Sequence, residues 1–202
     1  MERVTYEDLG PVVAALRSGA TVALPTDTVY GLACAAHDRA ACEALLIAKG
    51  RPLDKPSAIV AGTVAGALTA VLPDLPATAR DRVRRLLPGP LTLVVPNPGH
   101  RYPWLCGDQP DRIGLRVPEL DPRLAAAIDQ VPALLLTSAN AAGEPPAVAF
   151  ADLAGIAEMA AVAVDGGVCP GGRPSTVVDI AGDEPELLRE GPVALAEIRA
   201  RL

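Results

Sequence analysis

Four clusters in this chain share one plan, an apolar segment opening into a small polar or cationic turn: residues 25–30, 49–55, 137–140 and 174–176. They hold Thr28, Lys49, Arg51, Lys55, Ser138, Asn140 and Ser175, and Arg116 and Arg189 add cations near the ends of two further apolar runs. Cations and neutral donors with few carboxylates suit a polyanion such as a nucleoside triphosphate. His37 and His100 lie outside every cluster, which disfavours a Ser-His-Asp hydrolase and a zinc enzyme. No Gly-x-x-x-x-Gly-Lys-Ser/Thr loop is present, so a bound triphosphate is held another way. Lysine occurs only at Lys49 and Lys55, within one short stretch, while all other basic side chains are arginine or histidine. The bland reading of each cluster, a solvated turn, stays open on residue types alone, because such residues dominate turns.

These groups meet only if the apolar segments before them share one sheet. Thr21–Leu24 reads as a buried strand ended by Pro25, which lacks the N–H a ladder needs. Further strands are expected at Ser57–Ala61, Leu91–Val95, Arg112–Val117, Ala133–Leu136 and Ala161–Val164, with Ser175–Ile180 and Glu186–Arg189 pairing as neighbours. Thr5 is a candidate cap for a first helix with Val12, Val13 and Leu16 inward, and Asp38 for a second with Cys42, Leu45 and Leu46 inward. The arginines of 77–87 read as a solvated helix face, and the irregular stretch 96–111 as a mobile flap. Strands and helices mix without strict alternation, which favours an α/β domain over residues 1–202, a twisted mixed sheet flanked by helices.

The totals set bounds. The 202 residues are 50% hydrophobic but only 2% aromatic, so the core is built from Ala, Val, Leu and Ile. A net charge of −6 argues against a dedicated nucleic-acid binder, although a concave basic site also suits a weak RNA contact. Cys34, Cys42, Cys106 and Cys169 form no Cys-x-x-Cys pair and read as reduced thiols of a cytoplasmic protein. No signal peptide or membrane span is legible.

The motifs in order carry a resemblance. Pro25-Thr26-Asp27-Thr28-Val29-Tyr30-Gly31-Leu32 resembles the signature of the YrdC-like family of threonylcarbamoyl-AMP synthases. Lys49-Gly50-Arg51-Pro52, Pro88-Gly89-Pro90-Leu91-Thr92, Arg116-Val117-Pro118, Thr137-Ser138-Ala139-Asn140, Asp165-Gly166-Gly167, Pro174 to Asp179 and Leu188-Arg189-Glu190-Gly191 follow as in that family. The resemblance implies a single YrdC-like domain with a concave basic cavity. It implies a nucleotidyltransferase joining L-threonine, bicarbonate or CO₂, and ATP into threonylcarbamoyl-AMP and pyrophosphate. The product serves threonylcarbamoyladenosine formation at position 37 of tRNA, through a downstream tRNA threonylcarbamoyl transferase complex.

By the same resemblance Thr28, Arg116 and Ser175 hold threonine. Lys49, Arg51, Lys55, Ser138, Asn140 and Arg189 hold ATP, Lys49 and Arg51 being the catalytic cations, and Mg²⁺ accompanies ATP with no ligands assigned. Two departures stand out. Ala142-Gly143-Glu144-Pro145-Pro146 replaces the family's Ser-Gly-x-Pro-Ser, and Lys55-Pro56-Ser57-Ala58-Ile59-Val60 lacks its histidine. Two other classes compete: carbamoyl adenylation for metal-cluster assembly, found within longer proteins, and an RNA-binding module.

Overall fold

A computed structural model describes residues 1–140 and 144–202; Ala142 and Gly143 of the first departure lie outside the described residues. The strands are β1 (Glu2–Val4), β2 (Val22–Leu24), β3 (Gly31–Ala35), β4 (Ala58–Val60), β5 (Leu91–Pro96), β6 (Arg112–Arg116), β7 (Leu134–Ser138), β8 (Val162–Val164), β9 (Thr176–Asp179) and β10 (Glu186–Arg189). They form one mixed sheet in the order β1-β8-β2-β3-β7-β4-β6-β5-β9-β10. The expected α/β architecture is therefore present, and β9 and β10 pair antiparallel as their sequences indicated.

The helices are α1 (Gly10–Arg17), α2 (Arg39–Ala48), α3 (Val64–Gly66, continuing as a π turn to Val71), α4 (Ala77–Leu86), α5 (Pro122–Ile128) and α6 (Leu195–Arg201). Asp38 caps α2, its carboxylate accepting the N–H of Ala41 at 3.0 Å, and Cys42, Leu45 and Leu46 point inward. Thr5 caps nothing: α1 begins five residues later behind Leu9, with proline in its first turn and Asp8 accepting the Gly10 N–H.

Alternation along the strands separates two cores. Leu32, Cys34, Ile59 and Leu135 face one together with α2 and α4; Ala33, Ala35, Val60 and Leu134 face the other beneath α1 and α5. The arginines of α4 are a solvated face only in part: Arg84 is exposed and pairs with Asp81 within the helix, while the other three reach carbonyls elsewhere. Arg80 donates to the carbonyls of Leu68 and Pro73, Arg82 to those of Ile180, Gly182 and Asp183, and Arg85 to that of Leu202. They close turns and the carboxyl end of the chain instead. Nor is 96–111 an unanchored flap. Buried Asn97 donates to the Arg101 and Pro110 carbonyls at 3.0 Å each, and Leu105 is fully buried. Among the described residues, no helix is long and apolar enough to cross a membrane.

Candidate active site

The face that α1 and α5 cover over β2, β3 and β7 continues across β4, β6, β5, β9 and β10 as the floor of a cavity of about 860 Å³. Pairing sets the floor in two rows, because residues opposite each other in paired strands share a face. Val60 pairs with Arg116 in one row, and Val177 with Arg189. The next row runs from Ala58 to Gly114 to Val94 to Asp179 to Glu186. The first row thus carries cations and the second ends in acids. Ala58 and Gly114 keep the middle low, for a Cβ on Gly114 would stand 3.0 Å from that of Ala58.

The signature loop forms the wall beside Arg116. Thr26 Oγ1 donates to the Val29 carbonyl at 2.7 Å and accepts the N–H groups of Thr28 and Val29, folding the loop on itself. Tyr30 is fully buried, donates to the Gly167 carbonyl at 2.9 Å and accepts the Gly166 N–H at 3.1 Å. Burial pushes its phenol up to about 12, so it stays a neutral anchor. Gly171 completes the wall: a Cβ there would lie 2.3 Å from the Thr28 carbonyl oxygen, a spacing only glycine allows.

Arg116 is buried, and its Nη2 donates to Asp27 Oδ1 at 2.6 Å and Thr28 Oγ1 at 2.7 Å. Among the described residues its Nε is buried with no hydrogen-bond partner, as is Ser57 Oγ, which also borders the cavity. Such orphaned groups cost stability unless something else completes them. Ser175 shares a 2.8 Å hydrogen bond with Thr92, and Arg189 donates to the Ser175 carbonyl at 2.8 Å and to its hydroxyl at 3.2 Å. Burial lowers the Arg189 pKa, and the charges of Arg116 and Arg51 lower it further. Arg189 therefore feels both of the other guanidinium groups, and an anion beside it relieves that repulsion.

Of the residues singled out from sequence, Thr28, Arg51, Arg116, Ser138, Asn140, Ser175 and Arg189 all line the cavity. Arg51 also donates to the Pro56 carbonyl at 2.6 Å, closing the loop it belongs to. Lys49 does not border the cavity. Its Nζ donates to the Asn140 carbonyl and, at 3.0 Å, to Asn140 Oδ1, which also accepts from Ser138 Oγ at 2.6 Å. Burial lowers its pKa. Lys55 is exposed and lies off the cavity lining. Residue types alone do not assign Asp27, Thr92, Arg112 or Asp179 to the site, yet Thr92, Arg112 and Asp179 line the cavity and Asp27 pairs with Arg116. The motif Pro-Gly-Pro-x-Thr pointed at Thr92. Nothing in sequence spacing pointed at the Arg112–Asp179 pair, which forms only because β6 and β9 flank β5.

The sequence matches the Sua5/YciO/YrdC family, described as telomere recombination, over residues 14–191. The chain belongs to this family. A protein of Mycobacterium leprae is 38% identical over 194 residues, 94% of this chain and 86% of its own. A Chromohalobacter salexigens protein named threonylcarbamoyl-AMP synthase is 37% identical over 182 residues, 89% of this chain and 96% of its own. The crystal structure of Pyrococcus abyssi Sua5 complexed with L-threonine superposes with a TM-score of 0.81 at 29% identity, covering 100% of this chain. This chain spans 59% of that longer protein.

Proposed function

We propose that this Sua5/YciO/YrdC-family chain is a threonylcarbamoyl-AMP synthase, joining L-threonine, bicarbonate or CO₂, and ATP, and releasing pyrophosphate. The observation that carries the reading is the set Arg51, Arg116 and Arg189 converging on one cavity, with the Arg116 Nε buried and unpartnered. The relatives named for this activity and the threonine-bound P. abyssi structure support it.

The chemistry needs such an array. CO₂ adds to the threonine nitrogen with loss of a proton, giving a carbamate. A carbamate oxygen then attacks the α-phosphorus as the bond to the bridging oxygen of pyrophosphate breaks. Both reactants are anions, so fixed cations must bring them together and take up charge on the leaving group. Arg116, with Thr28 and Ser175, is assigned to the threonine carboxylate and hydroxyl. Arg51 and Arg189 are assigned to the phosphates, with Ser138 and Asn140 beside them. Lys49 is assigned to holding Asn140 in place, and Lys55, on the exposed loop, to an approaching triphosphate.

Mg²⁺ enters with the triphosphate in this scheme. Among the described residues no group of three or more His, Cys, Asp or Glu side chains stands at ligand spacing, so the phosphates are its assigned donors. The mixed anhydride formed is reactive and must be consumed promptly; by the family resemblance its consumer is a tRNA threonylcarbamoyl transferase complex. The test is pyrophosphate release by purified protein. Release is expected only with ATP, bicarbonate and L-threonine together, and with serine it is expected to be slower. Equal release without any amino acid overturns the reading.

A further inference from the structure

Asp27 is the signature-loop group to which the reaction above gives no task, and it is tied on both sides. Its Oδ1 accepts from Arg116 Nη2 at 2.6 Å and its Oδ2 accepts the N–H of Glu119 at 3.0 Å. Glu119 lies just past the end of β6, so one carboxylate grips both the head of the Arg116 side chain and the main chain three residues beyond it. Within the described residues Nη2 makes every hydrogen bond of that guanidinium, the third being a long one of 3.5 Å to Thr26 Oγ1. The group is planar and rigid. Holding one nitrogen from two sides therefore fixes where its other N–H bonds point, including the unpartnered Nε.

We propose that Asp27 is a positioning residue for substrate: through its bonds to Arg116 and Glu119 it keeps the free edge of the Arg116 guanidinium turned to the ligand carboxylate. This rests on the assignment of Arg116 to threonine. The competing role is plain charge compensation, since Arg116 and Asp27 are both buried, with side chains 9% and 8% exposed. The two roles differ in sign. An anion beside Arg116 opposes binding of another anion, so charge alone makes Asp27→Asn bind threonine more tightly. Positioning makes the same change bind it more weakly, because the asparagine amide keeps one acceptor oxygen and turns N–H groups toward a second donor.

The experiment measures pyrophosphate release against threonine concentration for the wild type, Asp27→Asn, Asp27→Glu, Arg116→Lys and the double variant Asp27→Asn/Arg116→Lys. Calorimetry gives ATP affinity, and circular dichroism verifies the fold. Asp27→Asn is expected to raise the threonine KM about tenfold or more, the scale of one charge-assisted hydrogen bond. Its kcat and ATP affinity are expected to stay near the wild type. Asp27→Glu keeps the charge but moves it by one methylene, and it too is expected to raise KM; it decides the question if the asparagine variant does not fold. On the Arg116→Lys background Asp27→Asn is expected to add little, because the two residues act as one unit. A lowered or unchanged threonine KM in Asp27→Asn, or full additivity in the double variant, overturns the positioning role. If Arg116→Lys alone leaves the threonine KM unchanged, the assignment of Arg116 fails instead.

Discussion

Arg116→Lys tests the threonine assignment most directly, and the structure sets its size. A lysine Nζ can take the place of Nη2 and keep the pair to Asp27, now 2.6 Å long, and the contact to Thr28 at 2.7 Å. What it cannot replace is a second donor held in the same rigid plane, such as the buried Nε, which has no hydrogen-bond partner among the described residues. Losing one charge-assisted hydrogen bond to a carboxylate costs about 1.5–3 kcal/mol. At about 1.4 kcal/mol per factor of ten, the threonine requirement is expected to rise roughly 10- to 150-fold. The threonine carboxylate carries the same charge before and during phosphoryl transfer. The lost contact is therefore uniform binding, and the change falls on KM with kcat nearly preserved. Pyrophosphate release over a threonine series at saturating ATP gives both constants, and calorimetry gives ATP affinity. A fall in kcat at constant KM, or lost ATP affinity with threonine dependence intact, refutes the reasoning and moves Arg116 to the other ligand.

Lys49→Met separates function from stability. Burial lowers the Lys49 pKa from 10.5, so below that lowered value the folded state bears a desolvation cost, which disappears only above 10.5. Melting at pH 7 is therefore expected to show no loss of Tm, while turnover falls about 10²-fold as Asn140 loses its anchor. Normal turnover removes Lys49 from the site. In Gly171→Ala the new Cβ would meet Thr28 main-chain atoms at 2.3 and 2.5 Å, displacing the loop that carries Thr28. Overpacking costs about 1–3 kcal/mol, read as a Tm lower by roughly 2–12 °C in a chain this size, together with a raised threonine KM. An unchanged KM refutes that coupling.

Much of the cavity lining was legible in the sequence because its residues sit at strand ends, where an apolar run breaks into polar types. Arg116 and Arg189 end β6 and β10, and Ser138 ends β7. The strands themselves were less legible. β3, Gly-Leu-Ala-Cys-Ala, carries no β-branched residue and is buried throughout, so neither propensity nor alternation marks it. β1 has three residues and owes its pairing to β8, far along the chain. Arg80, Arg82 and Arg85 read as solvated because a helix pattern does not reveal that carbonyls from 68, 180 and 202 come within reach. Asp27 escaped for the same reason: its meaning lies in Arg116 and Glu119, about ninety positions away.

The part of the cavity floor that bears Arg189 is the last strand of the sheet. β10 has four residues, a register shift between Leu187 and Arg189, and one neighbour, β9. Its exposed outer edge places its pairing at the low end of local stability in the domain. A ligand that spans from Arg116 to Arg189 therefore does more than fill a space. By linkage it fastens the hairpin of β9 and β10 to the sheet, and whatever loosens the hairpin weakens the ligand by the same free energy. The hydrogen-exchange rates of the β10 amides are thus expected to fall when the cavity is occupied.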